Sequence, residues 1–182
     1  MELDRVLPAH DFRSCFTRRI AADPPTVWKA LCELSSAELP LSRRLMLLRS
    51  GGRSRLDGPL LDSFPTPTLV TVEGEEIVKG KVAKFWRLRP RPAPIEPGDA
   101  AAFTGFSEPG WAKAAMSLRV APDGDATIVS FETRVQCTDA RSRRVFRAYW
   151  LLIRLGGAAF IRVEVLGALV RRAERAAAGT PG

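Results

Sequence analysis

The spacing of apolar side chains changes several times along the chain, and each change marks a different kind of element. In FRSCFTRRIA, residues 12 to 21, aromatic and β-branched residues gather in a short run that predicts a first strand. ADPPTVWKALCEL then switches to helical spacing. Val27, Leu31 and Leu34 share one face with Trp28 beside them, Asp23 stands where a cap is needed, and Pro24 fits the first turn, where no amide donor is lost. A second short helix is predicted over Leu41 to Arg49, between Pro40 and Gly51-Gly52, and the glycines and prolines of 51–67 predict a loop.

Beyond that loop the period falls to two. Val70 and Val72 alternate toward Gly74, and Val78, Gly80, Val82, Trp86 and Leu88 continue after it, which predicts a hairpin turning at Glu73-Gly74-Glu75. Lys79 and Lys81 fall on the opposite face from the valines. RPRPAPIEPGD carries too many prolines for a central strand and reads as a loop. Two long strands follow, from about Trp111 to Ala121 and from about Ala126 to Thr138, joined by the turn signal Pro122-Asp123-Gly124-Asp125. Pairing Ala121 with Ala126 sets Leu118 opposite Val129, Met116 opposite Phe131 and Ala112 opposite Val135 on a buried face. The other face holds Lys113, Arg119, Glu132 and Arg134, and is expected to be wet unless another element covers it.

From a cap at Asp139 or Ser142, helical periodicity continues nearly to Ala178. Phe146, Tyr149, Ile153, Gly156, Phe160 and Val163 line one side, with Arg144, Arg147, Arg154 and Arg162 broadly opposite. The stretch FRAYWLLIRLGGAAFIRVEVLGALV has the length of a membrane span, but arginines at this spacing are costly at membrane depth. It therefore reads as a long helix lying on an apolar surface. Each of the adjacent glycines costs about 1 kcal/mol relative to alanine in a helix, which marks a place for a bend or short break.

Length and composition narrow the class. A chain of 182 residues, 46% hydrophobic and 26% charged, is expected to form one domain over 1–182 with its own core. The net charge of +8 raises the question of a nucleic acid or an anionic surface. The basic residues are scattered, however, their longest runs are pairs such as Arg18-Arg19 and Arg171-Arg172, and no nucleic-acid motif accompanies them, so no nucleic-acid partner is expected. MELDRVLPAHDF lacks the pattern of a secretory signal and predicts a cytoplasmic address, where Cys15, Cys32 and Cys137, without metal-type spacing, are expected to remain buried structural thiols. His10 is the sole histidine, so neither a Ser-His-Asp constellation nor a multi-histidine metal site can be built. No phosphate-binding glycine motif is present, and GGRSRLDG reads as a basic loop, so neither metal nor cofactor is expected.

The order of strand, two short helices, antiparallel meander and long terminal helix is that of the helix-grip fold. IAADPPTVWKALCEL at the first strand-to-helix turn, with ELPLSRRLMLLR, IVKGKVAKFW, FSEPGWAKAAMSLRV and FETRVQCTDARSRRVFRAYWLLIR, resembles a bacterial branch of the START-like superfamily, which includes polyketide cyclases and lipid-transfer domains. The resemblance runs from about Phe12 to Ala176. It implies an α+β fold in which a curved antiparallel sheet wraps around the C-terminal helix, with a cavity between them that commonly takes hydrophobic ligands. The chain departs from the pattern at Leu155-Gly156-Gly157-Ala158, where a proline or serine beside the glycine is expected.

Small residues decide what that cavity means. Ala112, Ala114 and Thr133 on the buried sheet face would meet Gly156 and Gly157 on the helix, leaving either a void or unusually close packing. With a void, the partner is a hydrophobic or amphipathic small molecule, and Trp28, Trp86, Met116, Phe131, Tyr149, Ile153, Gly156, Gly157 and Phe160 form its lining. Without one, the same aromatics are ordinary core. The lone Tyr149 either donates a hydrogen bond into the cavity or packs with its hydroxyl at the edge. Glu132 and Arg134 offer an enzymatic alternative of the cyclase or dehydratase kind, with Glu132 as base and Arg134 holding an enolate. Their place on the face opposite Met116 and Phe131 favours a solvated ion-pair cluster instead. The expectation is a binding protein, with the arginine stripe of the helix as a further candidate surface for an acidic partner or membrane.

Overall fold

The computed structural model describes residues 1–39, 58–63, 66–87, 89–155 and 158–178, with the side chains of 36, 63, 153–155 and 158–162 excepted. The predicted helix from Leu41 to Arg49 and the pair Gly156-Gly157 lie outside the described residues. The fold is α+β, as the sequence predicts, with a six-stranded antiparallel sheet. In chain order the elements are α1 (Glu2–Val6), β1 (Phe12–Ile20), α2 (Pro24–Glu33), a 3-10 turn (Ser36–Glu38), α3 (Leu60–Ser63), β2 (Thr68–Val72), β3 (Glu76–Lys84), β4 (Arg91–Pro92), α4 (Ala100–Gly105), β5 (Ala112–Asp123), β6 (Ala126–Cys137), α5 (Ala140–Leu155) and α6 (Ala158–Ala178). The strand order is β1-β6-β5-β3-β2, with β4 paired to β3 off this path.

The chain divides into two compact units: Met1–Cys15 with Thr66–Leu118 and Phe131–Gly156, and Phe16–Pro65 with Arg119–Ser130 and Gly157–Gly182. In the first unit both sheet faces are covered. On one, Val78, Val82 and Ala115 pack with Leu3, Val6 and Leu7 from α1 and the residue after it, and with Phe103 of α4. On the other, Ala112, Val135 and Cys137 pack with Phe146 and Trp150 of α5. A strand covered on both sides reads as a continuous buried run rather than an alternation, and Glu76–Gly80 are all buried. The part of the expected wet face that lies in this unit is therefore dry, whereas Arg119 is exposed as expected. Lys113, Glu132 and Arg134 are each less than 7% exposed, because α1 and α4, neither of which the periodicity signals, cover them.

The β2–β3 hairpin turns at Glu73-Gly74-Glu75 as predicted, with Val72 opposite Glu76 and Val70 opposite Val78. Gly74 takes φ +79°, a conformation costly for residues with a Cβ. Strand β3 ends at Lys84, however, so Trp86 sits in the following turn rather than in the strand. Between β5 and β6 only Gly124 and Asp125 intervene, and at the far end the Thr138 amide donates to the Trp111 carbonyl at 3.1 Å. Both ends give one register, in which Leu118 faces Phe131, two residues from the expected pairing. A shift by an even number leaves every side chain on its predicted face.

In the second unit, α2 buries Val27, Trp28, Ala30 and Leu31 and packs along α6, which buries Val165, Leu166, Ala168, Leu169 and Ala173. Asp23 occupies the cap position of α2 but makes no side-chain cap bond. Arg172 of α6 fastens the two helices, its Nη1 meeting Glu38 Oε1 at 2.9 Å and its Nη2 meeting Glu33 Oε2 at 3.0 Å. Arg19 bridges Asp123 and Asp125 at the hairpin tip, and Thr127 Oγ1 donates to the Ala22 carbonyl at 2.7 Å. The segment 51–67, predicted as loop, contains α3, whose first amide donates to the Leu34 carbonyl.

Candidate functional site

The predicted lining residues are distributed between the units. Trp28 is buried in the second. In the first, Phe131 is buried and Met116 half-buried. Trp86 and Tyr149 come together on Phe146, with ring centroids 6.4 and 5.5 Å away, and Phe12, Phe85 and Trp150 complete the cluster at 5.1 to 6.3 Å from the same ring. These tilted and edge-on pairs, each worth about 0.5–1.5 kcal/mol beyond area burial, fill the space between α5 and the sheet at this end. Gly156 and Gly157, and the side chains of Ile153 and Phe160, lie outside the described residues.

Glu132 and Arg134 form a closed network. Glu132 Oε1 accepts from Arg13 Nε and Arg134 Nε, both at 2.7 Å, and its Oε2 accepts from Arg13 Nη2 at 3.0 Å. Arg134 Nη1 continues to Asp4 Oδ1 at 2.7 Å and to the Leu7 carbonyl at 3.3 Å, which ties α1 to β6. Hydrogen bonds from Arg13, then from Arg134, outweigh burial and lower the Glu132 carboxyl to about 2. Such a carboxylate is a weak base at neutral pH, and both of its oxygens are already engaged. The arrangement is a latch. Nearby, Lys113 Nζ donates to the Thr104 carbonyl at 2.7 Å and lies 5.5 Å from the centre of the Phe103 ring, and burial lowers its pKa. Of the three cysteines expected to be buried, Cys15 on the outer strand β1 is exposed and Cys32 half-buried; Cys137 is buried, and desolvation pushes its thiol up to about 12, far from the thiolate a nucleophile requires.

The better-formed concavity is elsewhere on the first unit. Leu69 of β2, Gly80 and Val82 of β3, Ala93 and Ile95 of the proline-rich loop, and Phe103 of α4 enclose about 190 Å³, open on one side. Lys81, Glu96 and Asp99 stand at its lining as charged groups among apolar ones. Asp99 is engaged in capping α4, where its Oδ1 accepts from the Ala102 amide at 2.8 Å. Gly80 is the key to the shape. A Cβ there would collide with Leu69 Cδ1 and approach Phe103 Cε2 to 3.2 Å, so the bare backbone is what lets both side chains close over β3. None of these residues was predicted as a site. The available signal was the glycine inside a strand of valines, which marks a close approach, next to a loop whose prolines stiffen one wall.

Among the described residues, no group of three or more His, Cys, Asp or Glu side chains could hold a metal ion, and no helix is long and apolar enough to cross a membrane. No protein-family model matches the chain, and no curated protein does. Solved structures align over most of its length at low identity. Protein MLL2253 from Mesorhizobium loti is 12% identical over 90% of this chain and 98% of its own, with a TM-score of 0.41. Mll3558 from Rhizobium loti is 14% identical over 88% and 97%, with a TM-score of 0.37. TTHA0849 from Thermus thermophilus is 12% identical over 91% and 99%, with a TM-score of 0.33.

Proposed function

We propose that this protein binds a small apolar molecule, or the apolar end of an amphipathic one, in the groove between Leu69, Val82, Ile95 and Phe103. One observation carries the reading: a concavity with apolar walls and a few charged groups, the make-up of small-molecule sites. At about 190 Å³ it is smaller than the roughly 300 Å³ at which drug-sized sites begin, so a single ring or short alkyl chain suits it better than a whole lipid. The Glu132–Arg134 pair supports binding without turnover, because its oxygens and guanidinium are spent on each other, on Arg13 and on α1.

The test is calorimetric titration with toluene, a single neutral ring. Saturable binding is expected, and Ile95→Lys, which sets a charge in the groove wall at a half-buried position, is expected to weaken it about tenfold, equivalent to about 1.4 kcal/mol. Gly80→Ala is expected to act in the same direction by displacing Leu69. Absence of saturable binding, or binding indifferent to Ile95→Lys, would remove the groove as the site. Native mass spectrometry of freshly purified protein then identifies what the cell supplies.

A further inference from the structure

Most described arginines that matter to the fold meet carboxylates: Arg13 with Glu132, Arg19 with Asp123 and Asp125, Arg143 with Asp11, Arg172 with Glu33 and Glu38. Several cations of the first unit do not, and three of them line one concavity. Lys84 ends β3, Arg87 lies in the turn after it, and Arg141 sits in the first turn of α5; with Trp86, Gly110, Ser142 and Val145 they enclose about 330 Å³. Among the described residues none of the three meets an acidic side chain. We propose that this concavity is a second binding site, for a small organic anion whose phosphate or carboxylate head meets Lys84, Arg87 and Arg141 and whose flat apolar body lies on Trp86 and Val145.

Asp139, the acid two residues before Arg141, is engaged elsewhere. Asp139 accepts from the Gly110 amide, from the Ser142 amide at 2.8 Å and from Ser142 Oγ at 2.7 Å, so its oxygens are turned to the start of α5. Those bonds fill the end of the helix as well, which leaves the three side chains, rather than backbone amides, as the attraction for an anion. Lys84 is held in place without a counter-charge: its Nζ lies 4.5 Å from the centre of the Trp111 ring and would be 3.6 Å from a Cβ on Gly110. The ammonium is thus fixed beside backbone that carries no side chain. The volume is within the usual range for small ligands, and an indole beside convergent positive charge suits an aryl anion better than a hydrocarbon or a bare ion. This site does not depend on the apolar groove.

Calorimetric titration with 1-naphthyl phosphate, 1-naphthoate and the neutral 1-naphthol at low salt tests it. One or both anions are expected to bind at least tenfold more tightly than naphthol, and the tighter of the two names the head group. Arg87→Gln and Arg141→Gln, both at exposed positions, are each expected to weaken the anion several-fold while leaving the melting temperature in place, and added salt is expected to weaken it further. Ile95→Lys is expected to leave anion binding unchanged, which separates this site from the groove. Equal affinity for naphthol and the anions, indifference to both arginine substitutions, or no anion binding at all would overturn the proposal.

Discussion

Arg134 reaches two carboxylates and a carbonyl from a buried position, and so acts as a hub for its surroundings. Removing it leaves Glu132 buried with half of its partners, and a buried charge that loses one partner typically costs about 3–5 kcal/mol. Arg13 remains on Glu132 and is more than half exposed, so Arg134→Met is expected to cost roughly 3 kcal/mol, at the lower end of that range. Urea unfolding should show a lower midpoint with an unchanged slope. Replacing both members, Glu132→Leu with Arg134→Met, should restore part of the loss, because no uncompensated charge then remains in the interior. Strictly additive losses in the two single variants and the double would show that the pair is not coupled as the geometry requires.

At the scale of elements, Glu76 supplies the side-chain cap that α1 lacks at its own N-terminus. Its carboxylate accepts from the Glu2 amide at 2.8 Å, the Leu3 amide at 3.3 Å and Ser117 Oγ at 2.6 Å, satisfying first-turn amides that have no partner within any α-helix. Hydrogen bonds to charged groups are worth about 1.5–3 kcal/mol, so Glu76→Ala should release α1 before it unfolds the sheet. Hydrogen exchange is expected to accelerate over Leu3 to Leu7 while β5 and β6 stay protected; uniform acceleration would mean α1 is integral to the whole unit. The same residues explain what the sequence did and did not disclose. The hairpins were legible because Glu73-Gly74-Glu75 and Asp123-Gly124-Asp125 break two alternating runs, and only the tighter turn at Gly124-Asp125 moved the register. Five and six residues are too few to display a 3.6 period, so α1 and α4 passed unread. With them went the cover over Glu132 and Arg134, and the α4 wall of the groove at Phe103. The basic concavity was equally hidden, since Lys84, Arg87 and Arg141 converge only through the fold.

For the whole molecule, charge sets how stability responds to acid. The chain carries a net charge of +8 near neutrality, and protonating its carboxylates adds to that self-repulsion. Among the described residues, two carboxyls resist protonation in the folded state. Arg13 and Arg134 lower Glu132 from 4.5 to about 2, and the Ser142 amide and hydroxyl, with the Gly110 amide, lower Asp139 from 3.8 to about 2. A folded pKa below the unfolded one means stabilisation that is complete above the unfolded value and disappears as pH falls toward the folded value. The window is therefore about pH 4.5 to 2 for Glu132 and 3.8 to 2 for Asp139. At 1.36 kcal/mol per pH unit, the buried Glu132 would contribute about 3 kcal/mol across its window, lessened by the exposure of Arg13. Urea midpoints measured from pH 7 to 2 are expected to be nearly flat in their response to these two groups above pH 5 and to fall steeply below 4.5. Glu132→Gln should begin lower at pH 7 and fall less steeply, so that the two curves converge toward pH 2. Parallel curves would mean that the folded carboxyl titrates like the unfolded one, and the latch that joins α1 to β6 would then be held by something other than charge.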